Sequence, residues 1–150
     1  MECVVFIGLQ ASGKSSFYFD RFADTHVRLN MDMLRTRHRE TALFDACLAA
    51  KQPVVIDNTN PTRAERQRYL AAARQQRFST AGYFFDVDVD ACLLRNEERS
   101  ESTRVPRVGL LGTLKRLERP SMDEGFDALH LVRLTEQGFP VGPFGQETPT

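Results

Sequence analysis

The chain has no apolar run long enough to cross a membrane. None approaches the roughly 18 residues that a spanning helix needs, and an apolar strand pattern begins at residue 3. The expectation is a cytoplasmic protein with no room for an N-terminal targeting segment. Net charge is absent too: 20 basic and 20 acidic side chains balance among 150 residues. No whole-molecule electrostatic attraction to nucleic acid is visible in that balance. Cysteine is scarce. Cys3, Cys47 and Cys92 are odd in number, widely spaced and set in apolar surroundings, so they form no metal-ligand spacing and read as buried free thiols. Lysine is nearly missing, with only Lys14, Lys51 and Lys115. The positive charge is therefore arginine, crowded into 35–39, 63–77 and 95–119, and arginine's planar fork suits phosphate oxygens better than an ammonium does. No internal repeat or linker appears, and the length is that of one domain.

What is present is a phosphate-gripping loop. Residues 8–15 read Gly-Leu-Gln-Ala-Ser-Gly-Lys-Ser directly after the apolar run 3–7. A buried strand delivers the chain to a tight loop, and a helix continues from it. Loop N–H groups and the helix N-terminus then converge on one point, which suits a polyphosphate. Gly8, Ala11, Ser12, Gly13, Lys14, Ser15 and Ser16 are the candidate ATP-binding residues. Lys14 would reach the β- and γ-phosphates and the Ser15 hydroxyl would ligate Mg²⁺.

Apolar runs alternate with helical patterns along the chain, the signature of an α/β protein with a parallel sheet. Five strands are expected at 2–7, 27–30, 53–57, 80–86 and 128–134. Helices are expected at about 14–24, 32–50, 61–76, 88–99 and 106–117. Asn60 reads as the N-cap of the third helix, with Pro61 in its first turn and arginines on its solvated face. Residues 1–137 would form the phosphate-loop domain. The Gly/Pro-rich stretch 138–150 reads as an irregular tail docked through Phe139 and Phe144.

Ligands of open parallel sheets bind beyond the carboxyl ends of the strands. Three polar segments fall there: the phosphate loop, Asn30-Met31-Asp32, and Asp57-Asn58-Thr59-Asn60. Asp32 begins a helix beside the triphosphate site and is suited to accept the proton of an attacking hydroxyl; capping that helix is the alternative role. Arg35, one turn along, would hold an anion of the acceptor. Asp57, ending the apolar strand Val54-Val55-Ile56, would sit in the metal's water shell or anchor either Arg35 or the loop. Asn58, Thr59 and Asn60 are substrate contacts or turn formers. Arg95 and Arg99, four apart on a helix, repel unless an anion lies between them, as a transferring phosphoryl group would; the alternative is an exposed helix salt-bridged through Glu98 and Glu101. Glu97 to Arg104 would form a mobile lid. Asp86-Val87-Asp88-Val89-Asp90 imitates an aspartate-nucleophile phosphatase signature, but the chain has no residues left to build that enzyme's own sheet.

Together, the phosphate loop, Asn30-Met31-Asp32-Met33-Leu34-Arg35, Val55-Ile56-Asp57-Asn58-Thr59-Asn60-Pro61, Arg95-Asn96-Glu97-Glu98-Arg99 and Glu124-Gly125-Phe126 resemble the kinase domain of 5′-hydroxyl polynucleotide kinases. The resemblance runs from about Val4 to Leu134. It implies a kinase-type phosphate-loop fold with the first strand central. It also implies Asp32 as general base for a 5′-hydroxyl, Arg35 on the acceptor's phosphate, and Arg95 and Arg99 as lid arginines on the triphosphate. The expected activity is ATP- and Mg²⁺-dependent phosphorylation of the 5′-hydroxyl end of DNA or RNA by a stand-alone kinase. Two rivals are a kinase of a small-molecule hydroxyl and an ATP-binding module without transfer activity.

Overall fold

A computed structural model describes residues 1–145 of the chain. Six strands form one sheet in the order β2-β3-β1-β4-β5-β6. They are β1 (Glu2–Ile7), β2 (Val27–Leu29), β3 (Val54–Ile56), β4 (Ser79–Phe85), β5 (Ala128–Val132) and β6 (Val141–Pro143). The first five run parallel, with β1 between β3 and β4. The helices are α1 (Lys14–Arg21), α2 (Met31–Leu34), α3 (Arg37–Ala49), α4 (Arg63–Gln75), α5 (Val89–Glu97) and α6 (Arg107–Arg116). The expected kinase-type α/β architecture with a central first strand is what forms.

The period-2 alternation of β1 divides the core between the two faces of the sheet. Cys3, Val5 and Ile7 pack with Leu29, Phe44, Leu48, Tyr69 and Leu70, under α3 and α4. Val4 and Phe6 face the other way, with Phe17, Tyr18 and Phe22 of α1 and its C-terminal end and with Phe85. Phe17 is the hub there: its ring lies 5.4–5.8 Å from those of Phe6, Phe22, Tyr83, Phe85 and Phe139, at tilted or edge-on angles. Removing so central a ring costs about 3–5 kcal/mol in comparable cores. Gly82 has no room for a side chain, since a Cβ there would lie 2.7 Å from Leu129 and 2.8 Å from Phe126. All three cysteines are free and buried, and burial pushes the Cys3 thiol up to about 12.

Several local expectations are corrected. A sixth strand, β6, lies within the stretch read as an irregular tail and pairs antiparallel with β5. It is an edge strand, where Pro143 withholds no N–H that a neighbour needs. Phe139 meets Phe17 edge-on and Phe144 meets Phe84 edge-on; residues 146–150 of the tail lie outside the described residues. The helix expected over 32–50 is two helices, because Arg35 takes φ 75° and Thr36 starts α3 by accepting a hydrogen bond from the Arg39 N–H. Thr62, not Asn60, caps α4, in a reciprocal capping box with Glu65. Asn60 instead turns inward at φ 45° and donates to the Phe6 carbonyl at 2.7 Å. The arginines of α4 do not all face solvent either: Arg66 is fully buried.

Candidate active site

The phosphate loop connects β1 to α1 and curls through left-handed backbone at Ala11 (φ 59°) and Gly13 (φ 96°). Lys14 folds back over it, its Nζ donating to the carbonyls of Gly8 (3.0 Å) and Leu9 (2.5 Å) and to Ser12 Oγ (3.4 Å). Lys14 is buried, and desolvation lowers its pKa to about 8 against the opposing pull of Asp57. Ser12 is buried as well, whereas Ser16 is exposed. The Gly8 N–H donates to the Thr59 carbonyl at 3.0 Å, so the loop after β3 is fastened directly to the phosphate loop.

At the start of α1 the Ser15 hydroxyl donates to Asp57 Oδ2 at 2.9 Å. The third member of this corner, Arg28, carries no motif of its own in the sequence. Arg28 donates through Nε to the same Asp57 oxygen and through Nη2 to Ser15 Oγ, each at 2.8 Å. Its only signal was a charge inside a short apolar strand. Asp57 therefore anchors the phosphate loop and Arg28, not Arg35. Mg²⁺ needs only one or two protein oxygens beside substrate phosphates and water, and the Ser15 hydroxyl with the Asp57 carboxylate fits that requirement. Among the described residues no cluster of three His, Cys, Asp or Glu side chains could hold a metal unaided.

Across a cavity of about 310 Å³, Lys14 and Ser15 meet Asn30, Met31, Asp32, Arg37, Asp57, Asn58, Thr59 and Arg99. Asp32 does not cap α2; Asn30 does, accepting from the Met33 N–H at 3.1 Å, so the Asp32 carboxylate takes no part in the cap. The position of α2 is set from β3: Asn30 Nδ2 donates to the Asp57 carbonyl (2.7 Å), and Asn58 Oδ1 accepts from the Met31 N–H (2.9 Å). Asn58 Nδ2 donates in turn to the buried Glu40 at 2.8 Å. Glu40 also accepts from Arg37 (2.9 Å), Arg68 (3.3 Å) and the Tyr69 hydroxyl (2.7 Å). Arg37 thus stands on the cavity wall, braced by a buried carboxylate. Arg35 is exposed and is not among the cavity-lining residues, because the left-handed turn at its own backbone breaks the helical spacing from Asp32.

Glu124-Gly125-Phe126 has a bracing role. Glu124, buried, takes both prongs of the Arg66 fork at 2.7 and 3.0 Å, and Arg66 donates onward to the carbonyls of Asn60 and Pro61. A bidentate pair, fully buried and fully bonded, fixes the block that carries Asp57, Asn58 and Thr59.

On the opposite wall, α5 ends at Glu97, so Arg99 lies just beyond the helix rather than on its face. Arg99 lines the cavity. Arg95 reaches the phosphate loop: a Cβ on Gly13 would lie 3.2 Å from Arg95 Nη1. That nitrogen is buried with no hydrogen-bond partner among the described residues. The segment after α5 is folded on itself, since Asn96 bonds both the N–H and the carbonyl of Val105, at 2.9 and 2.6 Å. Gln10 ties the phosphate loop to α6 through Thr113 at 2.9 Å.

The family model described as AAA domain (AAA_33) matches residues 3–120. The chain belongs to that family. This AAA domain is 25% identical to a bifunctional polynucleotide phosphatase/kinase of Schizosaccharomyces pombe, over 83% of the chain and 32% of that protein. It is 32% identical to a putative bifunctional polynucleotide phosphatase/kinase of Acanthamoeba polyphaga mimivirus, over 87% of the chain and 33% of that protein. The AAA domain therefore spans about a third of the length of these curated relatives. Among solved structures, Chaetomium thermophilum Kti12 in complex with ADP-AlF3 matches with a TM-score of 0.66 at 19% identity, over 87% of this chain and 88% of that one. An unliganded sugar kinase from Janibacter sp. HTCC2649 matches with a TM-score of 0.64 at 18% identity, over 89% and 85%. Both share the phosphate-loop kinase fold of this AAA domain. No helix among the described residues is long and apolar enough to cross a membrane.

Proposed function

We propose that this domain is a kinase that transfers the γ-phosphoryl group of ATP, with Mg²⁺, to the 5′-hydroxyl end of a nucleic acid. One observation carries the reading: Lys14 and Ser15 of the phosphate loop share a single cavity with the Asp32 carboxylate. A nucleotide binder needs the first two and has no use for the third. The likeness to polynucleotide phosphatase/kinases supports the choice of acceptor.

In this reading the phosphates lie along the loop amides, with Lys14 released from the Gly8 and Leu9 carbonyls onto the β- and γ-oxygens. Ser15, backed by Asp57, would hold Mg²⁺, which would supply positive charge against the phosphates. Asp32 accepts the proton of the acceptor hydroxyl as its oxygen attacks the γ-phosphorus. The bond to the β,γ-bridging oxygen breaks and its electron pair leaves with ADP. Arg95 and Arg99 hold the charge spread over the equatorial oxygens. The cavity's size also accommodates a small alcohol, and the balanced net charge favours that second reading.

The test is phosphoryl transfer from labelled ATP to 5′-hydroxyl oligonucleotides beside a panel of nucleosides and sugars. Label is expected on the oligonucleotides, falling about 10²–10⁴-fold in Asp32→Asn, as for loss of a general base. Label on small molecules alone would move the acceptor to the second reading. Undiminished transfer by the variant would remove Asp32 from the chemistry.

A further inference from the structure

We infer that Arg28 is the built-in cation of the metal-side corner and sets how strongly that corner takes Mg²⁺. Arg28 acts through Ser15 and Asp57 and is a positioning residue, not a catalytic one. The inference rests on the Mg²⁺–ATP part of the proposed function and is independent of the acceptor.

Three contacts close a triangle: Arg28 Nε to Asp57 Oδ2, Arg28 Nη2 to Ser15 Oγ, and Ser15 Oγ to Asp57 Oδ2, all between 2.8 and 2.9 Å. Asp57 is 1% exposed, and a carboxylate so far from water requires a counter-charge. Arg28 supplies it before any metal arrives. Its guanidinium also lies over the rings of Phe19 (5.5 Å) and Tyr18 (5.9 Å), which favours its place in the corner. Ser15 Oγ spends its proton on Asp57 and one lone pair on Arg28, leaving one lone pair for another cation. A divalent ion at that lone pair meets a guanidinium already bonded to the same oxygen.

The nucleotide-free corner is therefore neutralised and resists free Mg²⁺. Only a polyphosphate carries enough negative charge to bring the ion in against Arg28. The domain should take metal and nucleotide together, and Arg28 should set the Mg²⁺ concentration at which this happens.

Arg28→Gln keeps an amide donor for Asp57 and removes the charge. In this variant the half-saturating Mg²⁺ for binding a fluorescent ATP analogue should fall about tenfold, the size of one nearby like charge removed from a partly screened site. Mg²⁺ alone should raise its melting temperature more than it raises that of the wild type. Arg28→Lys should stay close to wild type, and adding Asp57→Asn to Arg28→Gln should abolish the gain. An unchanged or higher half-saturation in Arg28→Gln overturns the inference and leaves Arg28 as a simple brace. A measurement on the wild type stands apart from whether variants fold: spin resonance of Mn²⁺ without nucleotide should show weak binding, and tight binding overturns the inference. No oligonucleotide enters either assay, so failure of the acceptor assignment is read separately.

Discussion

The two sides of the cavity are built by different means. The donor side is backbone and buried side chain: loop amides, a buried lysine bonded to its own loop, and the closed Ser15–Asp57–Arg28 triangle. The acceptor side is exposed side chains on a broken helix, aimed by remote bonds from Asn58 and Glu40. The first is preorganised before ligand arrives, as electrostatic catalysis requires. The second depends on where a helix breaks, and so can be retuned without touching the phosphate loop. If the domain is the kinase proposed above, the contrast teaches that phosphate recognition and acceptor choice are separable in it.

The largest effect that sharpens the contrast comes from Arg95. Its Nη1 is buried with no partner among the described residues, and a buried donor left unbonded is costly. A phosphate oxygen lying against Gly13 would satisfy it. Arg95→Gln should lower kcat by about 10²–10³, the range for losing one donor to a developing anion. Its melting temperature without nucleotide should equal or exceed that of the wild type, whereas the rise on adding ATP should shrink. A variant that melts lower without nucleotide would place Arg95 among the structural braces. The difference between donor and acceptor sides would then blur.

An intermediate effect comes from Lys14. Burial lowers its pKa to about 8, and a polyphosphate favours the charged form. Below pH 8 the lysine is already protonated, so binding takes up no proton through it. Above pH 8 binding must recharge it, and ATP affinity should fall by about tenfold per pH unit. The sign for folding is opposite. The unfolded lysine, near 10.5, holds its proton where the folded one has lost it. This group's contribution to stability therefore rises with pH between about 8 and 10.5. Nucleotide titrations from pH 7 to 9.5 beside thermal melts would read both. A flat affinity profile would mean that Lys14 is charged throughout.

The phosphate loop of the donor side was legible because its chemistry is local. Strand, loop and helix are contiguous, and each of Gly8 to Ser15 has a role fixed by its neighbours. The polar blocks after the second and third strands were legible for the same reason, since topology alone carries them to one rim. What escaped notice depends on partners far away in the chain. Arg28 finds its meaning in Asp57, Arg66 in Glu124, and Glu40 in Asn58, across separations of 29, 58 and 18 residues. Periodicity sees none of these. It also cannot see that Arg35 adopts φ 75° and splits one expected helix into two, because a left-handed arginine leaves no compositional mark. Strand β6 escaped because three residues of Gly/Pro-rich edge carry no alternation to read.

The smallest effect is the most discriminating for the acceptor side. Helical spacing from Asp32 points to Arg35 as the anion contact, whereas the cavity wall holds Arg37, pinned through Nη1 to Glu40 and Tyr69 at 2.9 and 3.0 Å. Two arginines and one carboxylate meet at Glu40, so the rim keeps a positive charge to spend on an acceptor phosphate. Arg37→Gln should raise KM for an oligonucleotide roughly tenfold, as for one charge-assisted hydrogen bond. The salt dependence of oligonucleotide binding should fall by about one contact. KM for ATP and kcat at saturating acceptor should not move. Arg35→Gln should change none of these beyond about twofold, as befits an exposed charge away from the site. The reverse ranking would mean that α2 and α3 rejoin into one helix when acceptor binds, restoring the spacing that the left-handed turn interrupts. An acceptor side that reshapes itself in that way would be induced, not merely less rigid, and the line between the two halves of the cavity would have to be redrawn at Arg35.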